Sequence, residues 1–160
     1  MTLHIHSDTS FLSEPGAKSI VVGCHYLGTA SADPKKSPPN QPPLNLTIHA
    51  ECTTMIIVLA SAMKAELGSL FVNCQRGAAT RVALLEMGHA QPPTPSVTYS
   101  ATGYGFVNDN IIQRRSRAID MRFCWVRDRV RQGRFLVHWM AGEHNLADYF
   151  TKHHPTSHHK

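Results

Sequence analysis

Three acidic residues lie where predicted strands and helices begin or end, and their oxygens could hold a metal ion. Asp8 closes the first predicted strand, Glu66 lies in the first third of a long predicted helix, and Asp148 lies in the first turn of the last one. Carboxylates repel one another, so gathering them is favourable chiefly around a hard divalent cation such as Mg²⁺. Two such ions about 4 Å apart can activate a water and stabilise the leaving oxygen of a phosphodiester. The alternative is three unrelated surface acids.

A second candidate feature is a run of arginines between residues 114 and 134. It holds eight of the 16 Lys and Arg residues of the chain. Three of them recur every seven residues and so share one face of a helix, namely Arg115, Arg122 and Arg129. Such a face could hold the phosphates of a nucleic acid and make binding sensitive to salt. The alternative is a solvated face whose arginines pair with nearby aspartates.

Other reactive side chains favour plainer interpretations. His4 and His6 flank Asp8 on the polar side of the first strand and are predicted to be an exposed pair rather than a transition-metal site. The four cysteines show no CxxC spacing, which favours reduced thiols in the core of an intracellular protein. Trp125 and Trp139 are predicted to be core or half-buried residues rather than platforms for stacked bases.

The elements that must position these residues follow from hydrophobic periodicity. Alternating or β-branched stretches predict strands over 3–8, 19–27, 44–52, 96–101 and 134–139. Three- and four-residue spacing predicts helices over 60–87, with a break near Gly77, and over 103–112, 116–132 and 146–152. The apolar stripe of the long helix is predicted to comprise Leu67, Leu70, Phe71, Cys74, Ala78, Val82 and Leu85. This order predicts a mixed α/β domain with an antiparallel meander of three strands first.

Composition limits the class of protein. With 160 residues, 42% of them hydrophobic and 17% charged, the chain can bury a core, and one domain is predicted over 1–152 with a frayed His-rich tail over 153–160. The net charge of +5 favours a polyanionic partner. No apolar stretch has the length of a membrane span or a signal peptide, so we expect a protein of the cytoplasm or nucleus that is neither secreted nor membrane-bound.

Four stretches of the chain, in order, resemble the ribonuclease H domain of copia-type LTR retrotransposon polyproteins. They are HIHSDTS from residue 4, ASAMKAELGSLF from 60, SRAIDMRFCWVRD from 116 and NLADYFTK from 145. The resemblance implies a ribonuclease H-like fold, a five-stranded mixed sheet flanked by helices. It also implies Mg²⁺- or Mn²⁺-dependent cleavage of the RNA strand of RNA–DNA hybrids. In the parent polyprotein a reverse transcriptase would lie upstream.

One of the carboxylates that the resemblance implies is missing from this chain. Asp8, Glu66 and Asp148 match three of them, as catalytic residues and metal ligands, but the position of the remaining aspartate is occupied by Tyr99. A phenol is neutral near pH 7, so the site loses one negative charge and one ligand. The resemblance also makes His144 a candidate for assisting proton transfer or product release, a loop histidine being the alternative.

Three functions therefore stand beside one another. The first is a ribonuclease H-like nuclease with a degenerate and impaired metal site. The second is a non-catalytic module that binds RNA–DNA hybrids through its basic face. The third is a relic of a mobile element with no function of its own.

Overall fold

The computed structural model describes residues 1–28, 45–108, 121–141, 147–151 and 157. The strands are β1 (Thr2–Glu14), β2 (Lys18–Gly28), β3 (Thr47–Thr54), β4 (Thr94–Thr98) and β5 (Phe135–Trp139). The helices are α1 (Ala62–Glu86), α2 (Ala101–Val107) and α3 (Met121–Arg131), and a 3₁₀ helix spans Asp148–Thr151. The predicted order of elements is confirmed. None of the helices in these ranges is long and apolar enough to cross a membrane.

The five strands form one mixed sheet in the order β3-β2-β1-β4-β5. β1, β2 and β3 are antiparallel neighbours, as the predicted meander requires, and Gly16 at φ +75° makes the tight turn between the first two. β4 pairs with β1 in parallel, and β5 pairs with β4 in parallel. Parallel pairs need crossover connections, which α1 supplies between β3 and β4, and α2 and α3 supply between β4 and β5. The predicted five-stranded mixed sheet is confirmed.

The main core lies between one face of the sheet and the helices. Ile5 and Leu3 of β1 and Phe135 of β5 are buried there against Leu67 and Leu70 of α1. An amphipathic helix packs against a sheet by burying an apolar stripe of this kind. The stripe was predicted correctly in its first half, but Val82 and Leu85 are exposed and Leu84 is buried instead.

The predicted break near Gly77 is wrong, since α1 runs unbroken through it. A Cβ at Gly77 would lie 2.5 Å from the Ile5 Cδ1 atom. The glycine therefore allows close contact between α1 and β1, and the favourable packing offsets its low helix propensity.

The opposite face of the sheet is covered as well. Val22, Cys24 and Tyr26 of β2 form a second small cluster with Ala147, which precedes the 3₁₀ helix. His4 and His6 lie on this face and are only 5% and 3% exposed, so the prediction of an exposed histidine pair is wrong. The alternation of polar and apolar residues along a strand cannot predict that the polar face of the sheet will be covered by a segment distant in sequence.

Several boundaries differ from the prediction. Asp8 does not end β1, which continues to Glu14, and the last helix is a single 3₁₀ turn rather than an α-helix over 146–152. Trp125 packs at the edge of the core, as predicted, but Trp139 is 45% exposed. All four cysteines are free, yet only Cys24 and Cys74 are buried. The tail over 153–160 lies outside the described residues except for Ser157.

Candidate active site

Asp8 lies on β1 just beyond the last residue that pairs with β4. The pairing of β1 with β4 ends at His6 and Val97, whereas β1 remains paired with β2 as far as Glu14. From Asp8 onward, one side of β1 is therefore open to groups from other elements. The residue is nevertheless 7% exposed, so its carboxylate lies in a confined environment.

Hydrogen bonds from two other elements reach Asp8 in the described part of the chain. The Thr151 hydroxyl donates to Asp8 Oδ2 at 3.0 Å and brings the 3₁₀ helix against the carboxylate. The Ser69 hydroxyl of α1 donates to the Asp8 backbone oxygen at 2.5 Å. Asp8 is thus the point at which β1, α1 and the 3₁₀ helix meet.

Glu66 approaches Asp8 from the first part of α1. The Ser61 hydroxyl caps the start of this helix by accepting from the Lys64 backbone N–H. Burial, and secondarily the negative charge of Asp8, raise the pKa of Glu66 to about 8 from an ordinary 4.5. Its Oε2 atom is buried and accepts no hydrogen bond from the described residues. Two carboxyl groups far apart in the chain therefore share one poorly solvated site.

Tyr99 directly follows β4 at the same end of the sheet. The last pair between the two strands is His6 with Val97, so Asp8 and Tyr99 each lie two residues beyond the end of this pairing. The Trp139 indole N–H donates to the Tyr99 backbone oxygen at 3.2 Å, and the Tyr99 hydroxyl oxygen is buried. The residue at the position where the resemblance implies a carboxylate is thus a tyrosine with a buried hydroxyl oxygen, directly after β4.

The structure describes one of the remaining predicted site residues in part and does not describe the other. Asp148 is described by its backbone, which begins the 3₁₀ helix that Thr151 attaches to Asp8. His144 lies outside the described residues. The structure therefore brings Asp8 and Glu66 together, with the 3₁₀ helix held against Asp8 by Thr151.

The capacity of the site for a metal ion rests on Asp8 and Glu66. Among the residues whose side chains are described, no three His, Cys, Asp or Glu residues form a group that could hold an ion. The two carboxyl groups nevertheless fit a hard cation, because the buried Glu66 Oε2 lacks a donor and lies near a like charge. A divalent cation would supply the missing positive charge and accept both oxygens.

The predicted basic face is only partly available to a ligand. Arg122 is exposed at the start of α3. Arg129 instead stacks over the Trp125 ring at 5.2 Å and donates to the Gln132 side chain. Arg115 lies outside the described residues. Arg122 is therefore the member of the trio best placed for an external phosphate among those described.

Sequence reasoning missed two residues that contact Asp8, namely Thr151 and Ser69. Each stands three positions after a predicted carboxylate, Asp148 and Glu66 respectively. Since residues i and i+3 share a helical face, that spacing was a usable signal.

Comparisons with known proteins bear on the fold. No protein-family model matches the chain. No curated protein matches it either.

Solved structures do match over nearly the whole chain. A ribonuclease H1 isolated from compost by metagenomics is 12% identical, with a TM-score of 0.62 over 93% of this chain and 91% of that one. The N-terminal RNase H domain of a Mycobacterium tuberculosis protein is 12% identical, with a TM-score of 0.61 over 94% and 95%. The prototype foamy virus protease–reverse transcriptase is 10% identical, with a TM-score of 0.51 over 94% of this chain and 20% of that one.

At these identities the comparison speaks to architecture rather than to activity. The TM-scores above 0.6 extend over more than nine-tenths of this chain and of both ribonuclease H structures. The chain therefore has the ribonuclease H-like fold.

Proposed function

We propose that this chain is a nuclease-type ribonuclease H domain of a copia-type retroelement, and that its substrate class is the RNA–DNA hybrid. The observation that supports this most is the electrostatic interaction between the buried Asp8 and the half-buried Glu66, where the pairing of β1 with β4 ends. Perturbed carboxyl groups of this kind are favoured at sites of acid–base or metal chemistry. The likeness of the fold to ribonuclease H1 structures supports the same reading.

Asp8, Glu66 and Asp148 would hold Mg²⁺ or Mn²⁺. When bound, the ion supplies an activated water and neutralises charge on the phosphodiester. The protein itself contributes the confined environment of Asp8, the hydrogen bond from Thr151 that orients its carboxylate, and the helix that presents Glu66. The fold thus contributes to catalysis by holding these groups in position before the substrate binds.

The activity of this site is impaired because Tyr99 stands where a carboxylate is expected. A phenol stays protonated near neutral pH, with an ordinary pKa of about 10, so it neither balances the charge of a cation nor readily ligates it. Loss of one ligand reduces transition-state stabilisation by several kcal/mol, and about 1.4 kcal/mol corresponds to a tenfold lower rate.

Cleavage of a labelled RNA–DNA hybrid in Mg²⁺ or Mn²⁺ tests this proposal. We expect slow cleavage by the wild type, a gain of at least about tenfold in Tyr99→Asp, and no gain in the matched control Tyr99→Phe. Asp8→Asn should abolish what remains. Full activity of the wild type with no gain from Tyr99→Asp would show that the tyrosine does not impair the site.

A second candidate function is a hybrid-binding module without catalysis. It is favoured by the net charge of +5 and by the exposed Arg122 on an arginine-rich helix. Such a protein would bind a hybrid with an affinity that falls steeply with salt, and Arg122→Ala would weaken binding, whereas Tyr99→Asp would restore no cleavage. In the parent polyprotein, a reverse transcriptase upstream would be the natural partner of either activity.

A further inference from the structure

A buried polar network joins α1 to the two central antiparallel strands beside the candidate site. Its side chains are those of Ser7, Ser69, Asn73 and His25, each at most 1% exposed. Buried polar groups are tolerated at a helix–sheet contact only when they find partners, and a fully partnered network fixes one arrangement of the elements. An apolar contact would allow α1 more freedom to slide.

The hydrogen atoms of this network can be assigned from its distances. Ser69 has one hydroxyl proton and gives it to the Asp8 backbone oxygen at 2.5 Å, so Ser7 is the donor in its 3.0 Å contact with Ser69. Asn73 Nδ2 lies 3.0 Å from the Val22 backbone oxygen and 3.0 Å from that of Ser69. Asp8 and Val22 are direct partners in the β1–β2 register. One turn of α1 therefore holds both strands at the level of Asp8.

Gly23 makes this close approach possible. A Cβ at that position would lie 1.6 Å from Asn73 Oδ1, which no side chain could tolerate without displacing the amide. The Asn73 Oδ1 atom lies 3.3 Å from His25 Nε2, and burial lowers the pKa of His25 to about 4, so the neutral ring can donate to it. Every polar atom of the amide thus has a partner.

We propose that Ser69 is a positioning residue, which holds α1 against Asp8 so that Glu66 and Asp8 remain close enough to bind one divalent cation. Glu66 precedes Ser69 by three residues, and hence by less than one helical turn. Binding one cation requires both groups to be ionised, and two carboxylates repel each other until the cation lies between them, so a restraint between their backbones helps to keep the pair assembled. The Ser69–Asp8 hydrogen bond is the restraint nearest to both. This inference rests on the proposed function, since it assumes that the pair binds metal.

The test measures Mn²⁺ binding to the whole chain by titration calorimetry, without substrate. Ser69→Ala removes the hydroxyl, and we expect its Mn²⁺ affinity to fall at least about tenfold, as is usual when a group that orients a ligand is lost. Ser61→Ala is the matched control. It destabilises the same helix by removing its N-cap but touches neither carboxylate, so its Mn²⁺ affinity should stay within about twofold of the wild type.

Ser69→Cys keeps a donor of similar size that bonds more weakly, and it should bind Mn²⁺ with intermediate affinity. If Ser69→Ala does not fold, the Mn²⁺ affinity of Ser69→Cys is compared with that of Ser61→Ala instead. A lower affinity in Ser69→Cys than in Ser61→Ala then supports the positioning role. Wild-type affinity in both Ser69 variants, or an equal loss in Ser61→Ala, would overturn the positioning role while leaving the metal site standing. A wild type that binds no Mn²⁺ would overturn the metal site and, with it, this inference.

Discussion

Replacing Glu66 by glutamine should make the protein more stable while removing its capacity for metal. In the fold, burial and the charge of Asp8 raise the pKa of Glu66 to about 8, whereas in the unfolded chain the group returns to about 4.5. Below about pH 4.5 the side chain is protonated in both states, so its titration has no effect on stability. As the pH rises toward 8, the unfolded state ionises first and is favoured.

The magnitude follows from this difference in pKa. At about 1.4 kcal/mol per pH unit, the wild type loses up to about 3 kcal/mol by pH 7 and up to about 5 kcal/mol above pH 8 relative to a side chain that cannot ionise. These are upper bounds, because part of the Glu66 side chain reaches solvent. The variant Glu66→Gln should therefore gain stability over the wild type progressively between about pH 5 and pH 8.

Urea denaturation of both proteins at several pH values without divalent metal measures this difference. The other titrating groups cancel when the two curves are subtracted. Gln75→Ala, at an exposed position of the same helix with no ionisable group before or after the change, is the control and should give a difference that does not vary with pH. A flat difference for Glu66→Gln across this range would refute the buried pairing with Asp8.

Three further predictions follow from the same structure. Mn²⁺ should raise the thermal midpoint of the wild type but not of Asp8→Asn, since an ion that binds only the folded state stabilises it; an equal rise in both would place the ion elsewhere. In a Glu66→Gln background, stability should fall as the pH drops from about 6.5 toward 4, because burial lowers the pKa of His6 and of His25 to about 4 and the unfolded chain takes up protons first. The loss by pH 5 should be up to about 2 kcal/mol for each histidine, and chemical denaturation that shows no loss would contradict their burial. Gly23→Ala should destabilise by about 2–3 kcal/mol in the same assay by expelling the Asn73 amide, and a neutral effect would mean that the helix can shift without loss.

Much of the architecture could be predicted from periodicity. The spacing of apolar residues in β1, α1 and β5 predicts which elements form and in what order, because a strand and a helix bury residues at different periods. The run of three strands before a long helix then limits the sheet to few topologies. Errors arose at Gly77, where close packing on Ile5 compensates for a poor helix former. They also arose at His4 and His6, which alternate with apolar residues along β1 as exposed side chains would but are buried in the fold.

The sequence by itself determined the candidate chemistry: acidic residues on a strand and two helices, a tyrosine in place of an expected fourth acid, and an arginine-rich helix. Only the tertiary structure decided that the half-buried Glu66 lies close enough to the buried Asp8 to feel its charge, and that Ser69 and Thr151 hold Asp8 from two sides. The physical reason is that periodicity reports how each residue faces its own element. Proximity between carboxylates depends instead on the height at which α1 packs on the sheet and on where β4 stops pairing with β1. Those depend on contacts among residues far apart in the chain.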